Sequence, residues 1–127
     1  MILNPKSFSN EILRQIRLIV KKQGNERELC GVIVAGSKVE VRQVTNISNS
    51  EGVEYQMDPV ELGEATKDTD FLGGKPDKVF IGIWHTHPLW SSDPSSIDIT
   101  NMLWGRWYFI YSCVDDDMSF TYKDKVK

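Results

Sequence analysis

Histidine is almost missing from this chain of 127 residues: there are two, His85 and His87, with one residue between them. Cysteine is as scarce. Cys30 and Cys113 are too few for a disulfide framework. Each lies in an apolar run, where a free thiol acts as a small hydrophobe. They can face each other on neighbouring strands, but the expectation is a reducing, intracellular (cytoplasmic) setting. Long hydrophobic runs are also lacking. "CGVIVAG" and "WYFIYSCV" are strand-sized and well short of a membrane span. The opening "MILNPKSFSN" has no apolar stretch of signal-peptide length. Positive charge is not in excess: 15 Lys and Arg against 18 Asp and Glu leave a net charge of −3. The basic residues are scattered, apart from Lys123, Lys125 and Lys127, which read as a solvated end. That balance gives no electrostatic case for nucleic acid or an anionic membrane as the main partner. There is no repeat, low-complexity tract or linker. With 40% apolar and 26% charged residues, positions 1–127 read as one soluble globular domain with a real core.

What is present follows clear periods. Phe8, Ile12, Leu13, Ile16, Ile19 and Val20 recur at helical spacing, so residues 8–22 are predicted to be an amphipathic helix. Ser7 or Ser9 suits its cap and Gly24 its end. "LCGVIVAG" and "KVEVRQV" read as a hairpin turning at Gly36-Ser37. "TNISNSEG" is loop chemistry, and Val53 to Met57 suits a strand. Asp58 is a good N-cap, Pro59 suits the first helical position, and Glu61 completes a capping-box-like pattern. That helix is predicted to reach about Asp68 or Asp70. "VFIGIW" is a buried strand leading into the histidines. A short helix capped by Ser95 or Ser96 follows, then the strands "RWYFIYSCV" and "MSFTYK" across Asp115-Asp116-Asp117. The order α, β, β, β, α, β, α, β, β predicts an α/β or α+β sandwich, a mixed and mostly antiparallel sheet flanked by helices.

On an extended chain, residues i and i+2 share a face, so His85 and His87 present two imidazoles side by side. Pro88 then turns the chain, and Asp98 stands at a helix start from which it can fold back. Two imidazoles, a carboxylate and a fourth open position describe a catalytic zinc site. Such a metal lowers the pKa of water and polarises a carbonyl, and needs a general base and an oxyanion donor beside it. A pair of surface histidines with ordinary turn serines is the competing reading of the same residues.

The whole string "HTHPLWSSDPSSID" resembles the JAMM motif of the MPN-domain (JAB-domain) metallopeptidases, H-x-H-P, six residues, then S-x-x-D. His85 to Pro88 match the first block, Leu89 to Pro94 the spacer, and Ser95 to Asp98 the second block. "ELCG", Glu28 to Gly31, is similar to the upstream E-x-C-G context of that family. "YQMDPVEL" is similar to its aromatic-x-Met-Asp-Pro stretch. The resemblance runs from about residue 8 to about residue 114. It implies an MPN/JAB fold, related to that of the cytidine deaminases. It implies Zn2+ as cofactor, held by His85, His87 and Asp98, with Glu28 as general acid/base and Ser95 as oxyanion stabiliser. Glu26 is a substitute base, Ser96 a substitute serine, and Asp93 a spare carboxylate. Cys30 reads as core and not as a ligand. Trp90 can line a substrate groove, while Trp84, Trp104 and Trp107 read as core.

The resemblance also implies a reaction: a metal-activated water hydrolyses an amide or isopeptide bond. The substrate would be the extended C-terminal tail of a ubiquitin-like or sulfur-carrier-like protein. Such a tail suits strand addition at a sheet edge beside the metal. The chain lacks the long insertions with which eukaryotic deubiquitinases grip ubiquitin chains, so it is similar to a compact prokaryotic or phage-type member. A phage tail-associated peptidase acting on another amide and a non-catalytic MPN scaffold are the alternatives. A zinc deaminase is excluded, because neither H-x-E nor P-C-x-x-C occurs.

Overall fold

The computed structural model describes residues 8–24, 26–48, 55–69, 78–95, 98 and 106–122. These form α1 (Ser9–Gln23), β1 (Cys30–Ala35), β2 (Val39–Val44), α2 (Pro59–Thr66), β3 (Val79–His87), β4 (Trp107–Ser112) and β5 (Asp117–Tyr122). The strands build one sheet in the order β2-β1-β3-β4-β5. β3 and β4 run parallel, and every other neighbouring pair is antiparallel. The sheet is mixed and mostly antiparallel, as expected, and the architecture is α+β.

α1 forms where the apolar residues recur at helical spacing. Ile12 and Ile16 are fully buried against Ile33, Trp84, Phe109 and Tyr111. Gly24 ends the helix at φ 85°, a left-handed value that glycine adopts without a steric cost. Of the two serines expected to cap it, Ser9 lies inside the helix and Ser7 outside the described residues, and Phe8 is the N-cap residue without a side-chain cap bond. Packing of the apolar stripe holds this helix, which is how most helices in proteins are stabilised.

The hairpin turns as predicted, with the Gly36 N–H donating to the Lys38 carbonyl at 2.9 Å. The two cysteines do not meet on neighbouring strands: β3 separates β1 from β4, and both thiols are free. α2 starts as predicted. The Asp58 carboxylate accepts from the N–H groups of Val60 and Glu61, with Pro59 in the first turn. Glu61 does not reach back to close a capping box. The Asp58 N–H already donates to the Thr45 carbonyl, and Glu61 accepts instead from the Thr45 N–H and hydroxyl at 3.1 and 2.9 Å. α2 stops at Thr66, short of Asp68, and its last carbonyls accept bonds from beyond the helix. Arg42 donates to Ala65 and Thr69 donates to Thr66. Of the strand expected at Val53 to Met57, the described residues show a bridge between Asn46 and Met57, with the Ile47 N–H donating to the Gln56 carbonyl at 2.8 Å; Val53 and Glu54 lie outside the described residues. Of the helix expected after Pro94, Ser95 and Asp98 are described: Asp98 is helical, and the Ser95 hydroxyl accepts its N–H at 3.1 Å, as expected of a cap. The rest of that helix, Trp104 and the lysine-rich end lie outside the described residues. Among the described residues no helix is long and apolar enough to cross a membrane.

The sheet separates two apolar layers. One is the α1 layer. The other comprises Val32, Val34, Phe80, Ile83 and Tyr108, covered by Tyr55, Met57, Leu62 and Ala65. The alternation of β3 sends Trp84 to the α1 side and Ile83 to the α2 side. By the same alternation His85 and His87 stand on the α2 side, at the C-terminal end of a central strand.

Candidate metal and catalytic site

β3 is buried from Phe80 through His87, so its two imidazoles enter the protein and not the solvent. Each histidine is 1% exposed. Their Nε2 atoms are 3.3 Å apart. Asp98 folds back onto both: Oδ1 lies 3.2 Å from His85 Nε2 and Oδ2 lies 3.0 Å from His87 Nε2. Ser95 holds that carboxylate in place. Its N–H donates to Asp98 Oδ2 at 2.9 Å, while its hydroxyl oxygen accepts the Asp98 N–H at 3.1 Å.

Glu28 arrives from the segment before β1 and is also buried. The ligating atoms of Glu28, His85 and His87 all lie within 4.8 Å of one another. Its backbone is fastened on two sides. Asn46 Nδ2 donates to the Glu28 carbonyl at 2.8 Å. Next to it, Leu29 and Thr86 exchange hydrogen bonds: the Leu29 N–H donates to Thr86 Oγ1, and the Thr86 N–H donates to the Leu29 carbonyl, both at 2.9 Å. The residue between the histidines thus clips the glutamate segment to the histidine strand.

The electrostatics differ within the trio. Burial pushes the His85 pKa down, against the pull of Asp98, and keeps that ring neutral. Burial pushes in the same direction at His87, but hydrogen bonds to Asp98 and to the Ser91 carbonyl outweigh it, and its pKa is raised. Burial alone would raise the Asp98 pKa, and hydrogen bonds from both histidines hold it well below the usual carboxylate range. The His87 Nδ1–H donates to the Ser91 carbonyl at 2.7 Å, which leaves Nε2 to face the other two groups.

The donor set fits a metal ion. Two imidazole nitrogens and an ionised carboxylate aimed at one point are electrostatically compatible only with a shared proton or a cation between them. Neutral imidazole and carboxylate suit zinc and other first-row metals. The backbone carbonyl behind His87 is the outer partner that a metal-bound imidazole normally has.

The structure also sorts the rival residues by position. Glu26 is exposed. Asp93 is exposed, and its N–H donates to Ser91 Oγ. Cys30 is fully buried, its thiol donates to the Val44 carbonyl at 3.4 Å, and burial raises its pKa to about 12. Ser96 lies outside the described residues. Trp90 is 38% exposed, with its ring 5.8 Å from that of His87. Trp84 is core, and Trp107 is half-buried at the edge of the α1 layer. Tyr55 was given no task by the sequence reading. It stacks on His85 with ring centroids 4.4 Å apart and planes at 26°. Its place in "YQMDPVEL" was the only available signal.

The histidine strand is not itself a sheet edge: β3 is paired on both flanks, by β1 and β4, and the edge strands are β2 and β5.

The family model for prokaryotic homologs of the JAB domain matches residues 9–123. A search of curated proteins found no match. Among solved structures, a protein from Desulfitobacterium hafniense superposes with a TM-score of 0.63 at 22% identity, covering 90% of this chain and 92% of that one. A protein from Salinibacter ruber gives 0.52 at 18% identity, over 92% and 88% of the two chains. At these identities the two structures establish a shared fold.

Proposed function

The chain belongs to the prokaryotic homologs of the JAB domain, and from that premise we propose that it is a zinc-dependent metallo-(iso)peptidase. It would act on the extended C-terminal tail of a ubiquitin-like or sulfur-carrier-like protein. The observation that carries this reading is the convergence of His85, His87, Asp98 and Glu28 in one buried site.

Two carboxylates compete for the third ligand position. Asp98 is assigned to it, because its two oxygens lie 3.2 and 3.0 Å from the two imidazole nitrogens. Bound zinc supplies a Lewis acid that makes water nucleophilic near neutral pH and polarises the scissile carbonyl. Glu28 then serves as the base that takes the proton of the attacking water and passes it to the leaving amine. Ser95 Oγ accepts the Asp98 N–H and keeps its own hydrogen for an oxygen that gains charge in the transition state. The tail crosses the face of the sheet, since β3 has no free edge. Exposed Leu89 and Trp90 form one lip of that path. Both cysteines are free, which fits a reducing, cytoplasmic setting.

The test is metal content followed by cleavage. Purified protein should hold one zinc per chain, and His87→Ala should lose it. Glu28→Gln should keep the metal but lose at least about 100-fold in cleavage of a ubiquitin-like fusion, as expected for loss of a general acid/base. Undiminished hydrolysis in Glu28→Gln would overturn the mechanism. Absence of metal in wild type after zinc is supplied would favour a non-catalytic scaffold.

A further inference from the structure

The three consecutive carbonyls of Trp90, Ser91 and Ser92 are each held by a different strand. The Ser112 hydroxyl, at the end of β4, donates to Trp90 at 2.8 Å. His87, at the end of β3, donates to Ser91 at 2.7 Å. The Ser119 hydroxyl, in β5, donates to Ser92 at 2.5 Å. The strand register explains how three donors reach one short segment. His87 pairs with Ser112, and His85 with Ile110, which in turn pairs with Ser119. Cross-strand partners share a face, so His87, Ser112 and Ser119 all stand on the face that carries the site. Ser112 is fully buried and also accepts the Asp115 N–H at 3.0 Å, which ties the β4–β5 turn into the same set.

We propose that Ser112 and Ser119 are positioning residues for the metal centre. They touch neither substrate nor the converging ligand atoms. By fixing the carbonyls on either side of Ser91, they hold the Ser91 oxygen where the His87 Nδ1–H must donate to it. That bond selects the tautomer whose Nε2 faces His85 and Asp98, and it sets the ring plane. The Ser112 bond also fixes Trp90, half-exposed at the lip of the site. The β4–β5 hairpin, which contributes no ligand, thereby serves as the backing of the centre. This inference rests on the reading of His87 as a ligand, and it extends the site to two serines far from the histidine motif in sequence.

The experiment compares Ser119→Ala, Ser112→Ala and Ser119→Thr. Zinc affinity is read by chelator competition, and the His87 ring nitrogens of the metal-free protein are read by NMR. Unfolding midpoints are recorded beside both. Ser119→Ala changes a half-buried side chain on an edge strand and should fold normally. Its zinc affinity should fall about 10-fold or more, in the range known for outer partners of metal ligands, and the His87 tautomer should become mixed. Ser112→Ala should do the same, and Ser119→Thr, which keeps the hydroxyl, should restore both readouts. Wild-type affinity with an unchanged tautomer in Ser119→Ala and Ser112→Ala overturns the proposal. So does a loss of affinity that merely follows the fall in stability, without rescue by Ser119→Thr. If wild type itself binds no zinc, the functional reading fails while the NMR comparison still decides whether the serines orient His87.

Discussion

Gly31 has no room for a side chain. A Cβ there would lie 1.9 Å from the Arg42 carbonyl oxygen and 2.6 Å from the Trp84 indole nitrogen. The indole N–H crosses over Gly31 to donate to that carbonyl at 3.1 Å. Trp84 immediately precedes His85, so the glycine of "ELCG" governs the lie of the histidine strand. Gly31→Ala should therefore cost about 1–3 kcal/mol or more, the usual range for overpacking a tight interior. Its urea midpoint should fall, and its tryptophan fluorescence should change as the indole leaves the Arg42 carbonyl. An unchanged midpoint would mean that the strands can separate without penalty. At this scale the sequence was legible as pattern and opaque as cause. "ELCG" and "HTHP" could be matched by eye. That the glycine makes way for an indole, and that Thr86 clips Leu29, depends on neighbours 53 and 57 positions away.

At the scale of elements, local chemistry was a good guide wherever the partner was also local. α1 followed its apolar period and ended at Gly24. α2 began at Asp58 and Pro59 as their capping chemistry requires. Asp58→Ala should accordingly cost about 1 kcal/mol, the usual loss for an N-cap carboxylate, measured as a shift in the unfolding midpoint. Because the same residue's N–H holds Thr45, the loss should be confined to the side-chain bonds, and Asp58→Asn should recover most of it. Full stability in Asp58→Ala would show that packing alone secures α2. The local rules failed where a distant group intervened. Glu61 turned to Thr45 and not to its own cap, and α2 ended before Asp68, where Arg42 donates to the Ala65 carbonyl and the Thr69 N–H turns back to that of Thr66. α1 is held by burial of Ile12 and Ile16 against the sheet.

Over the whole molecule, one charged network joins elements that are separate in sequence. Arg42, on edge strand β2, contacts Asp68 beyond α2 at 2.6 Å and Glu40 at 3.1 Å. Lys78, just before β3, contacts Glu40 at 3.2 Å and Asp68 at 3.3 Å. Hydrogen bonds from Arg42 and Lys78 hold Asp68 well below the usual aspartate range, and the same cations outweigh burial to lower Glu40. A carboxylate depressed in the folded state contributes stability above its unfolded pKa and loses it as pH falls through the folded one. The contribution should therefore be complete at neutral pH and begin to fade below about pH 4, near the ordinary carboxylate values. Because these groups are largely solvated, the effect should be modest and weakened by salt. Asp68→Asn should flatten part of the acid limb of the unfolding-temperature profile relative to wild type. An identical acid limb in the two proteins would remove Asp68 from the account.

The sequence by itself determined the helices that carry their own caps and periods, the hairpin, the strand that ends in two histidines, and the set of side chains with metal chemistry. Those features depend on residues close together on the chain, or on a motif whose spacing is itself the signal. Only the tertiary structure decided the strand order, the burial of β3 between two neighbours, and the closing of Asp98 and Glu28 on the histidine pair. It alone set Tyr55 on His85 and aimed Ser112 and Ser119 at the loop behind His87. Those contacts arise from which faces of distant strands come into register, and no local propensity encodes that choice.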